Sequence, residues 1–462
     1  MNIFKDKRYL FITYLIIATL AGISNFMEPA NIFVAISIML SLLVVFLGNE
    51  MALVYLLIAL CPFYSSLKIN GIYVGSIISL LILVRLFMRP TTKFASVLGM
   101  SSVIFLFIWF LHDIQFVTFA NALFRLFIPA CVFMFICRQR FEAYDGFFAM
   151  WTVIATTLIA MICVFLVQGG DIDSFIYASY AGEMRLGEAN VAEGQKNQLG
   201  GAMGFPIYTI IIISLSLQML ITHTFKLWQK ILIIGLNIAL FFITFLTISR
   251  VYILGIITLV LLILVHMIKS RSIKIIFSLL TGCLVLYCIA SIYLPEYMDN
   301  VFNSYLTRQT NNSDHGGTGI RGAIYEDCIQ YLTEDMECLL IGKGSSAYPL
   351  FGAKVHRLFS WSAHNIILDG LMSFGILGSL LLVCLYLHLY KQEKRRLNIK
   401  CSVLRATPLI CYLMMNMTAT PFLLDKTYPM LFFLIMNITH CTDNPTKALG
   451  YVLCSSNVRR KF

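Results

Sequence analysis

Residues 231–268 read ILIIGLNIALFFITFLTISRVYILGIITLVLLILVHMI, and Arg250 is the one charged residue among them. As a single α-helix these 38 residues would be roughly 57 Å long, whereas the hydrocarbon core of a bilayer is about 30 Å thick. One helix is therefore far too long for this stretch. We predict two membrane-spanning helices instead, 231–248 and 251–268, joined by a very tight turn at Ser249 and Arg250.

Runs of the same apolar character recur along the whole chain. Hydrophobic residues make up 59% of the 462 residues and charged residues 12%, whereas soluble proteins are typically about half apolar and a quarter charged. Each run is long enough to cross a bilayer as a helix. The sequence predicts an all-helical, polytopic integral membrane protein, a single domain over 1–462, with about fourteen transmembrane helices at 9–25, 31–48, 51–67, 71–88, 95–111, 116–137, 147–168, 202–222, 231–248, 251–268, 275–294, 364–390, 401–419 and 428–442.

The positions of lysine and arginine predict the orientation. If the N-terminus is cytoplasmic, the inner segments hold 23 of the 34 basic residues, the outer segments hold 10, and Arg125 lies within a span. Cytoplasmic loops of membrane proteins carry this excess of positive charge. Both termini are therefore predicted to be cytoplasmic, and the basic loops to contact anionic membrane lipids. Nucleic acid is not expected as a partner, because the basic residues are spread over many short loops.

Two polar segments are too long to be simple connections, and the charge pattern places both outside. They cover 169–201 and 295–363, and the second contains a predicted amphipathic helix, Ile320–Leu332. Long loops of this kind are usually functional or disordered. ATP is absent on the outer side, so an enzyme acting there must use an already activated substrate. No phosphate-binding GxxxxGK[ST] motif is present, since GKGSS at 342–346 lacks the spacing.

Four basic side chains come from four separate outer elements: Arg185, Arg250, Arg321 and His364. Guanidinium groups bind phosphate through paired hydrogen bonds at any relevant pH, so converging arginines would suit a lipid pyrophosphate. The histidine is different, because its pKa near neutrality lets it accept a proton. Each residue also has a plainer interpretation. Arg250 could extend to lipid headgroups, the two loop arginines could face water, and the His364-Asn365 pair could cap a helix.

Other candidate groups are less specific. Arg125 lies near the middle of a predicted span and could be functional or could pair internally to hold helices together. Lys196 adds a second cation to the first outer segment. Cys328 and Cys338 could form a disulfide or remain free thiols. No cysteine or histidine cluster has metal-ligand spacing. The sequence does not choose among seven outer carboxylates: Glu183, Glu188, Glu193, Asp314, Glu326, Asp327 and Asp369.

Three stretches together resemble the O-antigen polymerase and ligase superfamily of bacterial envelope polysaccharide synthesis. TISRVYILGIITLVLLI is similar to the family's Ser-Arg at a helix start. GIRGAIYEDCIQYL, followed by LLIGKGSSAY, resembles its arginine-led helix and short apolar-Gly-x-Gly stretch. SAHNIILDGLMSFGILG resembles its His-Asn helix start with a glycine-containing continuation. Arg185 and Arg321 lack the glycine that some polymerases carry in an Arg-x10-Gly pattern in both outer loops.

The resemblance implies a C-type-glycosyltransferase-like enzyme of the bacterial inner membrane whose active face is periplasmic. Its donor would be an oligosaccharide linked to undecaprenyl pyrophosphate. Arg250, Arg321 and Arg185 would hold the leaving pyrophosphate, and His364 would orient or deprotonate the acceptor hydroxyl. The expected substrate-binding group also includes Lys196, Asn365 and Arg125. No metal or other cofactor is implied, because arginines can stabilise the leaving group.

Polymerase and ligase share this donor and differ in acceptor, which is another lipid-linked repeat unit or the lipid A core. The length and the predicted number of spans favour the polymerase. A chain-length regulator and a flippase of the same pathway would then be possible partners. A flippase or transporter would predict intramembrane charges and internal repeats, whereas Arg125 is the one strong intramembrane charge and the halves show no repeat. A structural envelope protein is a further alternative.

Overall fold

The computed structural model describes part of the chain: 7–24, 30–63, 68–69, 72–88, 143–167, 170–171, 173–174, 204–222, 227–245, 250–270, 317–343, 363, 365–380 and 402–417, with the single residues 288, 291, 292, 295, 299 and 303. These residues are helical apart from one small hairpin. The helices are α1 (Lys7–Ile23), α2 (Ala30–Leu47), α3 (Glu50–Leu60), α4 (Val74–Phe87), α5 (Ala143–Val167), α6 (Gly204–Thr222), α7 (Leu227–Phe245), α8 (Arg250–Ser270), α9 (Gly317–Glu334), α10 (Met336–Ile341), α11 (Ile366–Leu380) and α12 (Ser402–Asn416).

Helices α1–α8 and α12 pack around one apolar core. α1 packs against α2 and α5, while α6 packs against α7, α8 and α12. Contacts of α5 with α6 and α7 join these two sets. Hydroxyl groups inside the bundle bond to other helices, as where Tyr14 donates to the Ala52 carbonyl at 2.7 Å. Thr209 and Thr244 likewise share a hydrogen bond of 2.8 Å between α6 and α7. The buried hydroxyls of Tyr14, Thr209 and Thr244 thereby have partners within the protein.

The opening stretch of sequence forms two helices, as predicted. α7 ends at Phe245 and α8 begins at Arg250, and the residues between them lie outside the described part. α7 begins four residues before the predicted start, so that its first turn includes Trp228. Arg250 is thus the first residue of the second helix, at the boundary that the sequence predicted.

The outer surface of α7 is apolar. Leu227 is 75% exposed, Ile231 61% and Ile234 47%. A helix that presents large aliphatic side chains on its exposed face is stable where that face contacts lipid or another protein. Within the described residues, two helices are long and apolar enough to cross a membrane by length and composition, Phe148–Val167 and Leu227–Phe245.

Two of the predicted spans are shorter than expected. α3 has 11 residues and would extend only about 16 Å, and a 3₁₀ turn, Cys61–Phe63, follows it. Pro62 lies in that turn and has no N–H to continue an α-helix. α4 begins at Val74, because Lys68–Ile69 and Ile72–Tyr73 pair as an antiparallel hairpin just before it. The predicted boundaries 51–67 and 71–88 were therefore wrong at these ends.

Several predicted spans cannot be compared with the structure. Those at 95–111, 116–137 and 428–442 lie outside the described residues, and 275–294 is described only at residues 288, 291 and 292. The total of fourteen spans stays a prediction. The amphipathic helix predicted at Ile320–Leu332 is present as α9, which is longer by three residues at its start and by two at its end.

Candidate functional site

The first feature of the candidate site is the start of α11, where Asn365 lies just before the helix. The Asn365 side-chain oxygen accepts hydrogen bonds from the backbone N–H groups of Ile367 at 2.9 Å and Leu368 at 3.3 Å. Asparagine is among the preferred residues for this position, because its oxygen satisfies N–H groups that have no partner within the helix. Asn365 therefore caps α11. The sequence had offered helix capping as the plainer interpretation of the His364-Asn365 pair, and for Asn365 this interpretation is correct.

Asp369 lies one turn into α11 and is almost fully buried, at 1% exposure. One carboxylate oxygen accepts the N–H of Ala363 at 2.8 Å, and the other accepts the N–H of Asn365 at 3.1 Å. A carboxylate in such a place is tolerated when its oxygens are hydrogen-bonded. The carboxylate thus binds the backbone on both sides of position 364.

A backbone crossing joins α10 to α11. Gly342, just after α10, has a φ of +81°, and Gly375, inside α11, has a φ of +64°. A Cβ on Gly342 would overlap backbone atoms of Ser373 and Phe374, and one on Gly375 would overlap those of Leu340 and Ile341. Both positions therefore require glycine, for conformation and for space. We call this contact the glycine crossing.

Hydrogen bonds fix the crossing in register. The Lys343 N–H donates to the Met372 carbonyl at 2.9 Å, and the Cys338 thiol lies 3.7 Å from the same carbonyl oxygen. The Gly342 N–H closes α10 by donating to the Cys338 carbonyl at 2.8 Å. The apolar-Gly-x-Gly stretch and the His-Asn helix, two motifs far apart in sequence, are in direct contact.

A small apolar core lies beneath the crossing and extends to α9. Cys328, Tyr331 and Leu332 of α9 pack in one buried cluster with Cys338 of α10 and with Ala363, Leu368 and Met372. Burial raises the pKa of the Cys328 thiol to about 12 and that of Cys338 to about 11. Burial also raises the pKa of Tyr331 to about 12. The segment Gly317–Lys343 is therefore docked on the first half of α11, and we call it the docked segment.

Charged groups at the edge of the docked segment pair with each other. The Lys343 ammonium lies 2.8 Å from a Glu337 carboxylate oxygen and 3.8 Å from an Asp335 oxygen. Asp335 also caps α10 by accepting the Cys338 N–H at 3.0 Å. This lysine is thus occupied in holding α10 to the glycine crossing. Among the described residues no group of three or more His, Cys, Asp or Glu side chains could hold a metal ion.

The predicted site residues are only partly described. Arg250 is the first residue of α8, and Arg321 is the fifth residue of α9, one turn from its start. The structure gives the backbone of both. His364, Arg125, Arg185 and Lys196 lie outside the described residues. Their roles, and the convergence of the arginines, stay predictions.

The sequence alone did not predict how the site is assembled. Asp369 was one of seven candidate carboxylates, and its distinguishing feature was its position within an otherwise apolar first turn of a helix. Gly342 and Gly375 were visible as parts of two motifs. Nothing in the sequence showed that these glycines meet.

Comparison with known proteins agrees with the resemblance. The family model described as O-antigen ligase matches residues 235–383. The match supports the resemblance of this segment to the O-antigen ligase and polymerase superfamily. No curated protein and no solved structure matches the chain. The O-antigen ligase segment includes Arg250, Arg321, His364, the docked segment and α11, whereas Arg125, Arg185 and Lys196 precede it. Proteins of this family are membrane proteins, which accords with the apolar exposed face of α7.

Proposed function

We propose that the chain is a multi-pass enzyme of the bacterial inner membrane that polymerises lipid-linked O-antigen, or a related surface polysaccharide, at the periplasmic face. The observation that carries this proposal is the O-antigen ligase segment, 235–383, because it includes Arg250, Arg321 and His364. The docked arrangement of α9, α10 and α11 adds support, since it joins the arginine-bearing helix to the His-Asn helix start through one buried core.

The proposed reaction transfers a growing glycan from undecaprenyl pyrophosphate to a new lipid-linked repeat unit. The acceptor hydroxyl oxygen attacks the anomeric carbon of the donor, and the bond from that carbon to the pyrophosphate oxygen breaks. The bonding electrons leave with the pyrophosphate, whose charge Arg250, Arg321 and Arg185 would stabilise. The hydroxyl proton passes to His364 as general base. Lys196, Asn365 and Arg125 complete the proposed substrate-binding group.

A ligase is the second candidate, and the description of the matching family favours it. The donor chemistry would be identical, while the acceptor would be a sugar of the lipid A core. Polymerisation remains our first choice because of the predicted number of spans and the length of the chain. A chain-length regulator and a flippase would be its expected partners in the pathway.

Deletion of the gene distinguishes these two functions. For a polymerase, lipopolysaccharide on a gel should carry a single repeat unit on its core, because a separate ligase still transfers that unit. For a ligase, the core should be bare and full-length glycan should accumulate on the polyprenyl carrier. A normal ladder in the deletion strain would contradict both functions, and bare core would contradict the polymerase.

His364→Ala should reproduce the deletion phenotype. General-base catalysis contributes about 10²- to 10⁴-fold in rate, which is enough to remove the long-chain ladder. His266→Ala, the same substitution near the end of α8, is the control and should keep the ladder. A normal ladder from stably inserted His364→Ala protein would show that the histidine is not the base.

A further inference from the structure

Asp369 has a hydrogen-bonding pattern that a helix cap does not need. Asn365 already accepts the N–H groups of Ile367 and Leu368 at the start of α11. The Asp369 N–H is itself bonded to the Asn365 carbonyl at 2.9 Å, as in a regular helix. Asp369 instead directs its two oxygens out of the helix, to the N–H groups of Asn365 and Ala363. Its side chain therefore organises the chain that leads into α11.

The two bonds bracket a single residue. Only the φ and ψ angles of residues 363 and 364 lie between the two N–H groups that the carboxylate accepts. One carboxylate therefore holds the N–H groups of both residues that flank position 364. Ala363 is fully buried and belongs to the same core as Leu368 and Met372, so Ala363 is also held by packing.

A carboxylate is required for this arrangement. It offers an acceptor oxygen to each of the two N–H donors, whereas an amide offers one oxygen and one NH₂ group. Burying this group at 1% exposure is costly, and the Asn365 cap already supplies what the helix start needs.

We propose that Asp369 is a positioning residue, which holds the backbone at residue 364 so that the His364 imidazole meets the acceptor hydroxyl. This inference rests on the proposed function. It assigns no direct contact with substrate to Asp369. A displacement of a reacting group by about 1 Å can cost about 10²-fold in rate. Asp369→Asn should therefore lower kcat by about 10- to 100-fold and change the KM for donor by less than about threefold.

A reciprocal cap that only stabilises α11 is the rival explanation. The two differ in a double-mutant cycle with His364→Ala, because a residue that acts through another has no further effect once that other is removed. The proposal predicts that Asp369→Asn lowers turnover in the wild-type background and by less than about twofold in the His364→Ala background. A purely structural role predicts that Asp369→Asn lowers turnover by the same factor in both backgrounds.

The assay uses the full-length protein in membrane vesicles, with the undecaprenyl-pyrophosphate-linked repeat unit of the same strain as substrate. Asp171→Asn is the matched control, because Asp171 is an exposed aspartate that accepts the backbone N–H of Ser174 at 2.7 Å. It should leave turnover unchanged. If Asp369→Asn does not accumulate, Asp369→Glu keeps both acceptor oxygens and is put through the same cycle.

The outcomes separate this inference from the proposed function. Normal turnover of His364→Ala would overturn the general-base role and the positioning role with it. Loss of turnover in His364→Ala together with wild-type turnover in Asp369→Asn would overturn only the positioning role. If Asp369→Asn lowered turnover equally in the wild-type and His364→Ala backgrounds, the positioning role would also be overturned. Asp369 would then be assigned to the stability of α11.

Discussion

At the scale of single residues, the two cysteines of the docked segment show how burial controls chemistry. Cys328 and Cys338 are both free thiols and both buried. Burial disfavours the thiolate, and the pKa rises to about 12 for Cys328 and about 11 for Cys338. The reactive species of cysteine is the thiolate, so both thiols should be inert at ordinary pH.

Alkylation measures this protection. At pH 8 a thiol with a pKa of about 11 is about 100-fold less ionised than one with a pKa near 9, and Cys338 should react slower in proportion. Because the pKa is raised, the rate should keep increasing about tenfold per pH unit up to about pH 11, where an ordinary thiol has levelled off. Peptide mapping after timed N-ethylmaleimide treatment gives the rates.

Denatured protein, treated at the same pH values, is the control for the alkylation rates. The raised pKa also implies that the docked segment loses stability as pH rises from about 9 toward 11, because the unfolded thiols ionise first. Rapid labelling of native Cys338 at pH 8, or a Cys328–Cys338 disulfide in the isolated protein, would contradict the buried free-thiol arrangement.

At the scale of elements, the glycine crossing holds the docked segment to α11. Two backbones approach each other at Gly342 and Gly375 without side chains between them. Both glycines also have positive φ values, which side-chain-bearing residues adopt at a cost of about 1–2 kcal/mol. A substitution at either position therefore combines backbone strain with overlap of main-chain atoms, and the neighbouring element must move.

We expect Gly342→Ala and Gly375→Ala to lower the thermal stability of the solubilised protein and its glycan transfer together. Two other glycines separate the contributions. Gly170 has a φ of +76° and no close backbone neighbour, so Gly170→Ala reports the strain alone. Gly235 lies in α7 with nothing within 4 Å of an added Cβ, so Gly235→Ala should be neutral or slightly stabilising.

The comparison is made on Tm and on transfer activity of all four variants. Gly342→Ala and Gly375→Ala should lose more stability than Gly170→Ala, because they add overlap to strain. Wild-type stability of Gly342→Ala or Gly375→Ala would show that the docked segment and α11 are not held by this crossing.

At the scale of the whole molecule, topology determines whether the proposed chemistry is possible. The proposed donor is available at the periplasmic face, so the docked segment and the start of α11 must lie there. The 23-to-10 division of basic residues is the basis for that orientation. α7 and α8 are consecutive helices with 246–249 between them.

Reporter fusions test the orientation directly. Fusions after residues 140, 270 and 400 should give cytoplasmic activity, and fusions near 190 and 315 should give periplasmic activity, because positively charged loops are retained inside. Paired reporters, one active on each side of the membrane, provide the internal control at each position. A cytoplasmic result at 315 would place the docked segment on the wrong side for a lipid-linked donor.

The sequence by itself determined the features that depend on local composition. The division of 231–268 into two helices follows from helix rise and bilayer thickness, and α9 follows from its apolar periodicity. The Asn365 cap follows from a side chain and two N–H groups within three residues. The family resemblance also follows from short motifs, and the O-antigen ligase match over 235–383 confirms it.

The tertiary structure alone decided the features that depend on distant partners. α3 and α4 are shorter than their apolar runs, because a buried 3₁₀ turn and a hairpin take up the residues between them. Gly342 and Gly375 lie 33 positions apart in sequence. The need for glycine at each position follows from the backbone that packs against it, which only the folded structure shows. Asp369 was one of seven carboxylates until folding brought its oxygens to two N–H groups on either side of position 364. Hydropathy and motif spacing predict the secondary structure of a segment and whether it faces lipid or water. Close backbone contacts and hydrogen-bond pairs depend on which segments the fold brings together.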